Sequence, residues 1–287
     1  MGIVFGLIAA ILLGASDVAA AKVSRSEPSM AVTRTALLTS IGIALVGLLI
    51  VPSVWSVRDV FVGCLSGVAM TVGLVMLYRA YSMARVGVVA PTTSVLTALI
   101  PVLVAYLRGD VPTGVAWAGI ALGLAGIGLA TYEPPQRIDS AKVGTTSAGS
   151  DRQGLLLGLG AGLCFGGGFS LLAETSNQSG LVSVVAQRGS GLVLLFLVGL
   201  GQAGPTFALR ANVRTLSLSV GVLAGIAICF LKLGFRRGPD GPVAVAASQF
   251  ATSAVVFAVI FMKERLRPIA GIGIACAAVG VAMMSLG

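Results

Sequence analysis

Histidine is absent from the 287 residues, which removes the commonest general base and the commonest metal ligand. Charge is scarce as well. Asp, Glu, Lys and Arg make up 10% of the sequence, against about a quarter in an ordinary water-soluble domain. A soluble fold of this size needs more polar surface, so the soluble-enzyme classes are set aside before any motif is read. The four cysteines, Cys64, Cys164, Cys229 and Cys276, are scattered through apolar runs with no CxxC pair. They read as small packing residues, and neither a metal site nor a disulfide is expected. The net charge of +9 comes without any Lys/Arg run interleaved with aromatics, so no nucleic-acid partner is expected. Cations set singly between apolar stretches mark the ends of membrane spans.

What is present is hydrophobic sequence, at 56% of residues. Crossing the hydrocarbon core takes about 20 mostly apolar residues. Ten such runs follow one another, at about 3–22, 31–51, 57–78, 88–107, 113–132, 154–173, 181–202, 215–233, 242–262 and 268–286. The runs are continuous, not alternating, which argues for helices and against a β-barrel. Short turn or charge signals separate most of them, such as Arg108-Gly109-Asp110 and Lys263-Glu264-Arg265. No basic stretch precedes the first run, so it reads as a retained span and not a secretory leader. The string Gly158-Leu159-Gly160-Ala161-Gly162 has no strand before it and the wrong spacing for a dinucleotide fingerprint, so no cofactor is expected. Gly158, Gly162 and Gly166, with Gly119 and Gly123, recur every four residues, the spacing that lets helices approach closely.

A polar stretch from Glu133 to Arg152 holds Pro134, Pro135 and charges of both signs. It reads as a linker and divides the chain into 1–132, a linker at 133–153, and 154–287. The two halves are related. Sliding the sequence by 154 residues sets Gly87 on Gly241, Val89 on Val243, Ser94 on Ser248, Gly119-Ile120-Ala121 on Gly273-Ile274-Ala275, Gly126 on Gly280, Asp110 on Glu264 and Arg34 on Arg188. The first spans align two residues short of that shift, with Gly6 on Gly158 and Gly14 on Gly166. Five spans per copy force the second copy to enter the membrane from the opposite side. The expected fold is therefore an all-α integral membrane protein, with ten transmembrane helices as two inverted five-helix repeats. Secondary transporters use this plan and hold substrate near the midplane between the repeats.

The residues also carry a family resemblance. Leu12-Leu13-Gly14-Ala15-Ser16-Asp17, Tyr78-Arg79-Ala80, Val86 to Pro91 and Pro101-Val102-Leu103 resemble the first half of EamA-type proteins of the drug/metabolite transporter superfamily. Arg236 to Pro239, Val243-Ala244-Val245 and Lys263-Glu264-Arg265 leading into Gly271-Ile272-Gly273 are similar to the family's closing segment. The resemblance implies a ten-helix carrier of small metabolites with a central cavity formed by both halves.

Several residues are candidates for the chemistry. Asp17 is the one acid well inside an apolar run. A carboxylate there is costly to keep ionised, which suits proton binding or a cationic substrate; the plainer reading pairs it with Lys22 or Arg34. Arg34 and Arg188 begin the second span of each half and could clamp an anion. As helix-end residues they could equally snorkel to the headgroups. Arg79 and Lys232, at span ends, are expected to snorkel, and Glu174 to lie at the interface. Thr92, Thr93 and Ser94 follow Pro91, and Ser248 and Gln249 occupy the corresponding turn. Pro91 frees a carbonyl one turn earlier, and broken backbone at depth is tolerated where it lines a cavity. These five read as cavity liners or as helix–helix glue, with Gln187 beside them.

The positive-inside rule leaves orientation open. Most of the 19 basic residues fall on the side opposite the termini, whereas the resemblance implies cytoplasmic termini. Both termini share one side of an inner or plasma membrane. The expected function is export of a small metabolite or drug-like molecule by alternating access, coupled to protons through Asp17. The alternatives are a channel and a non-transporting scaffold. An intramembrane enzyme would need a convergent acid–base set that one deep acid does not supply. The expected partners are a small-molecule substrate and lipid, and association with a second copy stays open.

Overall fold

The computed structural model describes residues 1–107, 109, 113–131, 148–200, 205–263 and 268–286. Among these the regular structure is entirely helical. In chain order the helices are α1 (Gly2–Val23), α2 (Ser29–Ile50), α3 (Val57–Met83), α4 (Val86–Leu107), α5 (Gly114–Thr131) and α6 (Ala148–Ala173). A single 3₁₀ turn, Asn177–Ser179, leads to α7 (Val182–Val198), α8 (Arg214–Phe235), α9 (Asp240–Ser248), α10 (Phe250–Met262) and α11 (Pro268–Leu286). Most of the expected linker lies outside the described residues. Where description resumes, Ala148 already opens α6, ahead of its apolar run. Also outside are Asp110, Glu264 and the basic residues Arg108, Arg137, Lys142, Arg265 and Arg267.

Six helical stretches are long and apolar enough to cross a membrane, with Asp240–Met262 counted as one, and four shorter apolar helices accompany them. Large apolar side chains such as Leu49, Ile50, Val57, Leu107 and Leu200 point outward. A water-soluble monomer does not carry an apolar surface of this kind. The chain is an all-α protein of membrane type.

Two local features differ from expectation. The prolines in span four do not break it: α4 runs through both Pro91 and Pro101. The break comes instead in the corresponding span, at Gln249 between α9 and α10. Its cause is competition for carbonyls. Ser94 Oγ donates to the Ser248 carbonyl at 2.5 Å, and Ser248 Oγ donates to the Val245 carbonyl at 2.7 Å. Hydroxyl back-bonding of this kind bends helices.

Small residues set how the helices meet. Gly158, Gly162 and Gly166 of α6 lie against α4. A Cβ on Gly162 would stand 2.5 Å from the Thr93 carbonyl oxygen, and one on Gly166 would stand 2.6 Å from Ile100 Cβ. Gly6 and Gly14 of α1 lie the same way against Val243 of α9 and Ala254 of α10. At the α5–α11 contact, Gly126 faces Gly273 and Ala277, while Gly280 faces Gly119 and Gly123. The spacing of the glycines is thus used for close packing, as the sequence suggests.

These contacts come in exchanged pairs. Gly126 touches Gly273, and their counterparts under the 154-residue shift, Gly280 and Gly119, touch in turn. Ser16 Oγ donates to the Val220 carbonyl at 2.9 Å, and at the corresponding positions Ser66 Oγ donates to the Gly168 carbonyl at 2.7 Å. Ser94 bonds Ser248, its own counterpart 154 residues on.

Gly162→Val should therefore fail where Gly167→Ala succeeds. Gly167 has open space around its Cβ position, whereas Gly162 meets backbone. Overpacking costs about 1–3 kcal/mol. Thermal unfolding in detergent should show a clear drop in Tm for the first variant and none for the second.

Candidate functional site

The helix ends and close contacts bring a set of polar groups into the interior. Asp17 of α1 is 5% exposed, and Tyr81 of α3 donates its hydroxyl to Asp17 Oδ2 at 3.1 Å. Neither Lys22 nor Arg34 pairs with it, contrary to the plainer expectation. Lys22 lies at the exposed end of α1, and Arg34 is engaged elsewhere. Tyr78, one turn before Tyr81, shares its face and is almost fully buried. It touches Ser16 and lies in electrostatic reach of both Asp17 and Arg188. Arg188 of α7 is buried, facing the Tyr78 hydroxyl and the Cys229 thiol of α8. Beside it, Gln187 Nε2 donates to Ser66 Oγ at 2.7 Å, and Ser66 in turn bonds α6. Residues of α1, α3, α7 and α8 therefore converge on one buried cluster holding one acid, one base and two tyrosines.

The other sequence candidates are placed as follows. Arg34 neither snorkels nor faces the cluster. Its guanidinium donates to the Leu195 carbonyl at 2.7 Å and lies 5.7 Å from the Phe196 ring centroid, so it caps the end of α7. Thr92, Thr93 and Ser94 are all buried in α4. Thr93 Oγ1 donates to Gly158 of α6 at 3.0 Å, and Ser94 meets Ser248. Gln249 donates to the Ala278 carbonyl of α11 at 2.9 Å and accepts from Thr252. These hydroxyls and amides join helices; Ser94 and Ser248 come together, while Gln249 lies at the α9–α10 break.

A second polar network was not legible in the sequence. Lys232, expected to snorkel, is fully buried. Its Nζ donates to Thr175 Oγ1 at 2.6 Å, to the Thr175 carbonyl at 2.9 Å and to the Ser176 carbonyl at 3.2 Å. Asp59, not a candidate in the sequence, is 1% exposed and accepts from the Ser176 N–H at 2.9 Å and from Ser176 Oγ. Lys232 and Asp59 thereby clamp the α6–α7 connection from α8 and α3. Across the chain, Glu27 of the first connection pairs with Arg210 at 3.1 Å. Arg79 is exposed, as snorkelling requires, and Glu174 is half-buried at the end of α6.

An open groove of about 550 Å³ between α3 and α7 is lined by apolar side chains including Trp55, Val193 and Leu197. It contains none of the buried charges. Among the described residues no group of potential metal ligands gathers, and the four cysteines are free thiols.

Fold and site together define the class: a helical membrane protein with unlike charges buried where several helices converge. No family model and no curated protein matches the chain. Solved structures do. One crystal structure, described only as that of a protein, superposes with a TM-score of 0.70 at 17% identity, covering 99% of this chain and 96% of its own. At that identity the likeness is one of fold, and it extends over the whole chain.

The capping roles can be separated from snorkelling by substitution. Lys232→Met removes all three hydrogen bonds that Nζ makes. Hydrogen bonds to a charged group are worth about 1.5–3 kcal/mol, so its Tm in detergent should fall well below wild type. Arg79→Met should stay within about 0.5 kcal/mol, as a surface change does.

Proposed function

We propose that the chain is a secondary transporter that moves a small metabolite or drug-like molecule by alternating access, as an EamA-type member of the drug/metabolite transporter superfamily. In this reading ten spans form two inverted five-helix repeats, 1–132 and 154–287, in an inner or plasma membrane with both termini on one side. The observation that carries it is the exchange of contacts between corresponding residues. When residue i of one unit meets j of the other, and j's counterpart meets i's, the two units are related by a two-fold axis. The Gly126–Gly273 and Gly280–Gly119 contacts have this form, and Ser94 on Ser248 is what a residue beside the axis does. With five spans per unit, such an axis lies in the membrane plane, the arrangement carriers rock about.

The buried cluster supports the same reading. Ionisable residues inside a membrane protein mark substrate or proton pathways, and Asp17 and Arg188 come from different repeats. Asp17 is assigned proton coupling, because protonation removes the cost of its charge while Tyr81 still holds the carboxyl. A channel would instead be expected to expose a polar filter at depth; the hydroxyls of Ser16, Ser66, Thr93 and Ser94 are spent on contacts between helices.

Counterflow tests the proposal. The purified protein is reconstituted in proteoliposomes loaded with pooled metabolites and assayed against labelled pools. Saturable, protein-dependent exchange with one pool is the expected result. A folded protein that exchanges nothing, or one that conducts ions at channel rates, would sink the carrier reading. Within the same assay, Asp17→Asn should cut pH-gradient-driven uptake at least tenfold while exchange at equal pH persists. An unchanged pH dependence would take coupling away from Asp17.

A further inference from the structure

The buried cations of the bundle differ in one respect. Arg34 has the Leu195 carbonyl and the Phe196 ring. Lys232 has three oxygens of the α6–α7 connection. Arg188 is 2% exposed and its Nε, like that of Arg34, is buried with no hydrogen-bond partner; among the described residues it has no carbonyl or ring to match those that Arg34 holds. Among the described residues no carboxylate pairs with it. The groups in its electrostatic reach are the Tyr78 hydroxyl and the Cys229 thiol, and Asp17 is not among them. Asp17 is answered by Tyr81 instead. A guanidinium enclosed in a membrane protein with neither a counter-ion nor a hydrogen-bond acceptor is strongly unfavourable, and an anionic occupant would balance it.

We propose that Arg188 anchors the carboxylate of the transported molecule, so that the substrate class is a small organic acid carrying a single negative charge at that end. The proposal rests on the transporter reading. Three observations fix its terms. The guanidinium is a planar fork that matches a carboxylate with two parallel bonds. It supplies one positive charge, so a dianion such as a phosphate ester would replace one uncompensated charge with another. Its counterpart Arg34 is already committed to the end of α7, so the anion site is not duplicated at the corresponding position. Tyr78, in reach of both Arg188 and Asp17, links the anion site to the acid. A substrate that also bears an ammonium group would place it toward Asp17. One without it would travel with a proton on Asp17. Amino acids and plain carboxylates therefore share the Arg188 chemistry and differ at Asp17.

The test uses the full chain in detergent, with thermal unfolding as the readout, since a ligand that binds only the folded state raises Tm. The probes are lactate, benzoate, alanine and phenylalanine, each set against its amide, with methyl phosphate alongside. At least one carboxylate should raise Tm saturably, while its amide and methyl phosphate do not. Arg188→Gln should weaken that carboxylate at least thirtyfold, yet melt no lower than wild type without ligand, because it removes an unpaired charge. Arg188→Lys, which keeps the charge but not the fork, should lose about tenfold, and it carries the test if the glutamine variant does not fold. Asp17→Asn should weaken the amino acids alone if they are the ligands, and leave plain carboxylates bound if those are.

The proposal is overturned by equal shifts from acid and amide, by no shift from any carboxylate, or by binding retained in Arg188→Gln. A carboxylate that binds through Arg188 but is never exchanged in vesicles would leave the anchor standing and sink the transporter reading. Saturable exchange of a neutral or cationic solute, unaffected by Arg188→Gln, would do the reverse.

Discussion

Backbone-to-backbone contact is the constraint on which the rest of this structure depends. Inside lipid, helices gain nothing by hiding apolar side chains from one another's surroundings, so association relies on close van der Waals packing and interhelical hydrogen bonds. The glycines of α1, α5, α6 and α11 meet that need, because almost every Cβ added to the contact faces would collide with the next helix. Once the backbones are that close, short hydroxyl side chains can reach a neighbour's carbonyl. Thr93 reaches Gly158, Ser66 reaches Gly168 and Ser16 reaches Val220. Each such bond is worth about 0.6–2 kcal/mol, and together they fix the register in which charged residues come to face one another.

Register matters because every buried charge then has to be answered. Asp59 is answered by the Ser176 N–H and hydroxyl, Lys232 by the carbonyls beside it, and Arg34 by the end of α7. These are helix-terminus solutions. Arg34 adds a second donor to the Leu195 carbonyl in the last turn of α7, and Lys232 and Asp59 bond Thr175 and Ser176 just past the end of α6. Asp17 and Arg188 have no such use. They lie within their helices, with side-chain neighbours from α3 and α8.

The helical architecture was legible because span length and small-residue spacing are local properties of the sequence. The ten apolar runs fall on helices among the described residues, and the α6 glycines point where their spacing implies. What escaped depends on partners far away in the chain. Lys232 and Arg34 sit near span ends, where long side chains usually reach for headgroups, and only the tertiary fold shows a helix end waiting for each. Tyr78 and Tyr81 are disguised similarly, since tyrosine near a span end reads as part of an aromatic belt. The Gln249 break escaped for a different reason. Proline is the visible helix breaker in sequence, yet the break formed where hydroxyls from two helices compete for carbonyls.

Set against the proposed two-fold frame, the polar residues break the symmetry that the glycines keep. Tyr78 and Lys232 occupy corresponding positions, as do Arg34 and Arg188. In each pair one member bonds carbonyls at or just past a helix end and the other joins the buried cluster. The members left for the cluster, Tyr78 and Arg188, come from 1–132 and 154–287, so the cluster joins residues far apart in the chain. The asymmetry also has an energetic reason. Repeating the cluster exactly as the glycine contacts repeat would leave two unanswered guanidinium groups in the interior and double an already heavy desolvation cost. In that proposed frame Arg34 is spent on the Leu195 carbonyl, and Arg188 is the charge left for the proposed occupant to neutralise.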